Sequence, residues 1–252
     1  MKRIPISSEA ARCSACILSD ICLPAGLSRS DVALLDKFVQ ERLRISKGKA
    51  LFELGDKADA IYGLRSGAMK TQLQDANGQV QITSFVLPGE IIGMDSMGNT
   101  SHVSEAVALE DSEVCVVYLN EIDQVSPHLP VLQQQFRRLM GLEINRAHQM
   151  VMTLGTLRSE QRVASFLLNI AERLAALGYS SNSFLLRMSR EEIGNYLGLT
   201  LETVSRLLSR FARENLIRIK QRDVTLLDKE GLYELAGLDF TELPVAVDNT
   251  ND

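Results

Sequence analysis

The chain has 252 residues, of which 45% are hydrophobic and 23% charged, with a formal net charge of −5. That is enough length for two modest domains with real cores, at the composition of ordinary globular proteins. Its longest apolar runs are broken by charges well short of the ~20 residues that a membrane span needs, so no transmembrane helix is expected. The first residues, from Met1 to Glu9, are basic without an apolar core, which does not match a secretory signal. The expected location is therefore the cytoplasm, where thiols stay reduced.

Residues 1–27 read as an irregular, polar segment that carries Cys13, Cys16 and Cys22, with Pro24 and Gly26 as breakers. A helix start follows at Ser28-Arg29-Ser30-Asp31, and Val32, Leu35 and Val39 point to a core. From about Lys47 to Tyr118 the pattern changes to short strands separated by glycine turns, with the hairpin signal Asp75-Ala76-Asn77-Gly78 among them. Many short strands of this kind suggest a double-sheeted β-roll. Residues 129–157 read as one long helix on which Met140, Ile144, Ala147, Val151 and Leu154 form a narrow heptad-like stripe. Such a stripe is expected to be the seam of a homodimer, the alternative being a helix packed on its own domain's core.

Beyond Leu157 the chain turns helical and basic. An amphipathic helix over 160–177 stops at Gly178, and Phe184 to Arg187 is strand-like. Ser189-Arg190-Glu191-Glu192 matches a capping box. Gly198-Leu199 makes a turn, Thr200 caps a second helix, and a hairpin crosses Gln221-Arg222-Asp223. Helix, turn, helix and β-wing make a winged helix-turn-helix. The expected class is thus α+β. Its parts are a cysteine-bearing loop (1–27), a β-roll sensory domain (28–128), a dimerisation helix (129–157), a winged helix-turn-helix (158–237) and a loose tail (238–252).

A recognition helix offers residues near its N-terminus to base edges in the major groove. Here Glu202, Ser205 and Arg206 share one face, while Val204, Leu207, Leu208 and Phe211 face the other way. Arg206 has the fork for guanine O6 and N7, and Glu202 can accept from cytosine N4. The bland alternative is an i,i+4 salt bridge between Glu202 and Arg206. Basic residues cluster around this helix, from Arg187 and Arg190 through Arg206, Arg210 and Arg213 to Arg218, Lys220 and Arg222. An acidic protein that binds DNA needs such a local concentration.

All four cysteines of the chain belong to one possible constellation, Cys13-x2-Cys16-x5-Cys22 and the distant Cys115. Four thiolates can hold an iron–sulfur cluster or close a tetrahedral metal site. The spacing is poor for zinc. It leaves open four unrelated buried thiols, a thiol redox switch and structural zinc beside the cluster. His102, His128 and His148 are scattered and are expected at the surface or an interface; no nucleophile pairs with them, so no enzyme is expected.

The chain resembles the fumarate-and-nitrate-reduction regulator (FNR) branch of the CRP/FNR transcription-factor superfamily over nearly its full length. The resemblance rests on Cys13-x2-Cys16-x5-Cys22, on Ser112-Glu113-Val114-Cys115, on the run from Ile193 to Thr200, and on the run from Glu202 to Leu208. It implies a roll like that of cyclic-nucleotide-binding domains. It implies an oxygen-labile [4Fe-4S] cluster on Cys13, Cys16, Cys22 and Cys115, whose presence promotes a DNA-binding dimer and anaerobic gene expression. It further implies a palindromic DNA site resembling TTGAT-N4-ATCAA, base reading by Glu202, Ser205 and Arg206, and contact with RNA polymerase. The alternative is a regulator on the same scaffold that responds to a cyclic nucleotide, to zinc or to thiol chemistry. Cyclic-nucleotide-binding rolls carry a phosphate-pairing arginine where this chain has Ser104-Glu105-Ala106, so a phosphate would meet an acid. Members of the branch also carry an aspartate where this chain has Ala147, which removes a like-charge repulsion from the expected seam.

Overall fold

A computed structural model describes residues 2–5, 12–36, 39, 41–125 and 130–238. Two compact units divide the chain, residues 1–147 and 148–252. Of the expected tail over 238–252, all but Leu238 lies outside the described residues, as does His128.

The first unit holds two antiparallel sheets. One has the order β1 (Lys2–Pro5), β2 (Glu41–Ile45), β9 (Ser112–Tyr118), β4 (Ala60–Ser66), β7 (Ile91–Ile92). The other runs β3 (Ala50–Phe52), β8 (Glu105–Ala108), β5 (Met69–Gln74), β6 (Val80–Val86). Alternation along β9 sends Val114 and Val116 inward and Glu113, Cys115 and Val117 to the other face, as a period of two requires. Leu43, Ile45, Phe52, Leu64, Met69, Val86 and Ile92 join Val114 and Val116 in the core of the roll. Each such side chain contributes about 1.5–3 kcal/mol by leaving water. The hairpin expected at Asn77-Gly78 joins β5 to β6; the Asp75 carboxylate accepts from the N–H groups of Asn77 and Gln79, and Gly78 takes φ +81°.

A second core covers the outer face of the five-stranded sheet. Ile61 and Val117 from the sheet meet Leu23, Leu35, Val39, Ile122, Leu132 and Phe136. These come from the cysteine-bearing loop, from α1 (Arg29–Leu35) and the residues after it, from α2 (Leu119–Val125), and from the start of α3 (Pro130–Thr156). Ser28 caps α1 by accepting from the Asp31 N–H. Pro130 opens α3 at the position where a missing N–H costs nothing.

Two features depart from the sequence reading. Lys2–Pro5 is not irregular but an edge strand paired with β2, Lys2 opposite Arg44 and Pro5 opposite Glu41. Edge pairing uses backbone groups and tolerates a terminal proline, so no side-chain alternation announces it. The short helix α2 also follows β9 directly without a turn signal.

In the second unit, α4 (Ser159–Ala176) buries Val163, Phe166, Leu167 and Ile170. The sheet β10 (Ser183–Leu185), β12 (Asp223–Leu226), β11 (Ile217–Lys220) supplies the wing. Between them stand α5 (Arg190–Leu197) and α6 (Leu201–Arg213). Ser189 Oγ accepts from Glu192 N at 3.1 Å while the Glu192 carboxylate accepts from Ser189 N at 2.7 Å, the expected capping box. A final helix, α7 (Lys229–Ala236), packs on α4, with the Tyr233 hydroxyl bonded to Glu172.

Candidate nucleic-acid interface and cysteine pocket

The recognition face is built by local rules. Gly194 lets the turn close. A Cβ there would sit 2.7 Å from the Leu199 carbonyl oxygen, and Leu199 N donates to Gly194 O at 2.8 Å. Thr200 Oγ1 then accepts from Thr203 N at 3.2 Å and starts α6. Val204, Leu207, Leu208 and Phe211 are buried. Glu202 and Arg206 are exposed and Ser205 is half-buried. The Glu202 carboxyl is held below its usual range by hydrogen bonds from its own backbone N–H and from the Thr200 hydroxyl.

Two members of the basic cluster have other work. Arg210 is bound by Glu160 at 2.6 Å and Glu214 at 2.7 Å. Arg222 donates to the Arg187 carbonyl at 3.2 Å, which ties the wing to β10's end. Arg206, Arg213 and Arg218 remain on the surface.

Along α3 the expected seam positions Met140, Ile144, Ala147 and Val151 are exposed and Leu154 is half-buried. Val151 has 68% of its surface open.

The four cysteines do come near one another. Cys115 on β9 is directly opposite Arg42 on β2 and Gly63 on β4. Because Gly63 has no side chain, Cys22 Sγ approaches to 3.3 Å from where its Cβ would be. Gln135 of α3 donates to the Cys22 carbonyl at 3.4 Å, and Ser14 bonds to the Asp36 carboxylate through both N–H and hydroxyl. Cys13, Cys16, Cys22 and Cys115 thus line one cavity with Arg12, Arg42 and Arg65.

That cavity does not accommodate the expected cofactor. It measures about 30 Å³, space for little more than a water molecule. Among the described residues, no three His, Cys, Asp or Glu side chains stand so that they can share a metal ion. Burial pushes the Cys22 thiol up to about 12. It raises Cys13, with the neighbouring sulfurs of Cys115 and Cys22 adding to the effect. Cys115 is raised by burial against the opposing pull of Arg42, which hydrogen-bonds its sulfur. The expectation of a [4Fe-4S] cluster on these four residues is therefore overturned. The iron–sulfur, oxygen-responsive, cluster-driven account of function falls with it, and so does structural zinc.

Sequence reasoning missed the charge network beside this pocket. Glu113, two residues before Cys115, accepts from Arg42 at 3.3 Å, Arg44 at 3.3 Å and Arg65 at 3.2 Å. Strand alternation places Glu113 and Cys115 on one face, a signal that was available; the arginine partners depend on register. His102 also departs from expectation. It is buried, 2% exposed, inside the roll rather than on the surface. His148 is exposed.

Comparison with known proteins follows this anatomy. A Crp-like helix-turn-helix domain matches residues 161–235, and a cyclic nucleotide-binding domain matches residues 42–126. The chain is 63% identical over 236 residues to the transcriptional regulatory protein btr of Bordetella pertussis, covering 94% of this chain and 98% of that protein. It is 39% identical over 237 residues to the fumarate and nitrate reduction regulatory protein of Yersinia pestis, covering 94% and 95%. Among solved structures, FixK2 from Bradyrhizobium japonicum superposes with a TM-score of 0.71 at 29% identity, covering 77% of this chain and 96% of that one. These relatives bear the names of regulators and none the name of an enzyme. Among the described residues, no helix is long and apolar enough to cross a membrane.

Proposed function

The chain belongs to the CRP/FNR transcription-factor superfamily, within its fumarate-and-nitrate-reduction branch, and we propose that it regulates transcription as a homodimer that reads a palindrome. It is not an enzyme. The observation that carries the reading is the pair of exposed residues Glu202 and Arg206, with the half-buried Ser205 between them, at the start of α6, directly after the turn closed by Gly194. Each protomer offers one such helix, and a two-fold dimer presents two about one DNA turn apart.

The half-site is TTGAT-like. Arg206 pairs with the guanine, Glu202 with the cytosine opposite, and Ser205 with a neighbouring thymine or a phosphate. Met140, Ile144, Ala147, Val151 and Leu154 form the dimer seam; the exposure of the first four supports it. The proposed organisation keeps a loop over 1–27, a roll over 28–128, a dimer helix over 129–157 and a winged domain over 158–237. RNA polymerase is the partner at promoters. The protein works in the cytoplasm, a setting that suits four free cysteines.

A cyclic nucleotide is not the effector in this reading. Glu105 stands where the phosphate-pairing arginine of nucleotide-binding rolls is expected, and Gln72 donates to its carboxylate at 2.6 Å. The test is an anisotropy titration of the full chain on a TTGAT-N4-ATCAA duplex and on a scrambled duplex, with and without cyclic nucleotide. Tight binding to the first alone, unmoved by nucleotide, is expected. Arg206→Ala is expected to cost about 1–3 kcal/mol on the palindrome and little on the scrambled duplex. Equal affinity for both duplexes sinks the reading.

A further inference from the structure

Arg162, in the first turn of α4, donates to three backbone carbonyls at once. Its Nε reaches Leu157 O at 2.9 Å, Nη2 reaches Leu154 O at 2.7 Å, and Nη1 reaches Leu197 O at 3.0 Å. Leu154 lies in the last turn of α3, Leu157 just beyond it, and Leu197 ends α5. The last carbonyls of a helix have no partner within it and carry its negative end. One guanidinium therefore closes the ends of two helices.

Its place in the fold gives this contact consequence. Leu154 is the last position of the proposed seam. Leu197 is followed by Gly198, in the left-handed region at φ +63°, and then by the turn that launches α6. The Cβ that Gly198 lacks would lie 3.4 Å from both Arg162 Nη1 and Leu154 Cδ2. The seam helix and the helix-turn-helix turn thus meet through Arg162, with Gly198 in van der Waals range of both. The contact lies wholly within the unit of residues 148–252.

We infer that Arg162 is a positioning residue that fixes the angle between the end of the seam helix and the recognition helix, and so sets which half-site spacing the dimer accepts. This rests on the DNA-reading proposal above. Two recognition helices on a dimer match a palindrome only when each is held rigidly to its own seam helix. A planar fork with several donors can hold three carbonyls from two helices. A lysine ammonium is a compact point charge on a flexible stem, and glutamine is shorter and neutral.

The test uses full-length wild type, Arg162→Lys and Arg162→Gln. Wild type first selects its preferred palindrome from random duplexes. Each protein is then titrated against that palindrome and against versions with the spacer one base pair shorter or longer. The readout is the ratio of affinities between preferred and altered spacers. A merely structural defect lowers the active fraction and scales all affinities together, so it leaves this ratio unmoved. Both variants are expected to reduce the ratio by about fivefold or more. An unchanged ratio in either folded variant overturns the inference. If one variant does not fold, the other decides. A wild type that selects no duplex overturns the DNA reading and this inference together, an outcome distinct from a retained ratio.

Discussion

Phe52 lies flat against His102, ring centroids 3.6 Å apart and planes within 5° of parallel. The imidazole is buried, bonded through Nδ1 to Ser96 Oγ at 3.1 Å, and its buried Nε2 has no hydrogen-bond partner among the described residues. The backbone of His102 also ties the roll together, donating to Asp56 O and accepting from Gly55 N.

This pairing makes the roll sensitive to acid. Burial lowers the His102 pKa, and Asp95, Asp56 and Asp59 offset the effect only in part. The unfolded chain, with histidine near its ordinary value of about 6.5, therefore binds more protons than the fold in mild acid. Stability from this group is complete above that value and is lost as pH falls below it. Calorimetry from about pH 7.5 to 5 is expected to show a falling melting temperature for wild type and a shallower fall for His102→Phe. Parallel slopes would refute the assignment.

Glu113 holds Arg42, Arg44 and Arg65, and the side chains of Glu113 and Arg42 are 13% and 11% exposed. Removing the carboxylate leaves a buried guanidinium uncompensated, which costs about 3 kcal/mol. Urea unfolding of Glu113→Ala should show a loss of that order. Arg44→Ala, which removes a side chain that is itself 65% exposed, should cost under about 1 kcal/mol.

Gly194→Ala forces a Cβ to within 2.7 Å of the Leu199 carbonyl oxygen and 3.3 Å of the Thr200 carbonyl carbon. Both atoms are backbone and cannot swing aside. The turn must open, at a cost of about 1–3 kcal/mol. Denaturant melts of the variant should show this loss, together with weaker palindrome binding, because α6 starts from that turn.

Ala147→Asp places a carboxylate in the proposed seam, facing its mate across the two-fold axis. Like charges there should raise the dimer dissociation constant at least about tenfold. Sedimentation velocity over a concentration series reads it directly. A dimer as tight as wild type would remove Ala147 from the seam.

Much of this anatomy is written in short-range text. Ser189 and Thr200 announce their helices because a cap depends on a hydroxyl and an N–H two or three residues on. The hairpin at Asn77-Gly78 and the buried face Val204, Leu207, Leu208, Phe211 follow equally from local geometry and periodicity. Distances between remote residues are another matter. Cys115 faces Arg42 only through strand register, Lys2–Pro5 pairs with β2 through backbone alone, and Arg162 finds Leu197 only when α3, α4 and α5 assemble. The cysteine spacing suggested a shared metal because spacing counts residues, not ångströms. Packing of Leu23, Val39 and Val117 around the sulfurs leaves a small apolar-walled cavity in place of a ligand cage. Caps, turns and stripes are properties of a few consecutive residues; the size and charge of a pocket are properties of chain segments that meet only after folding.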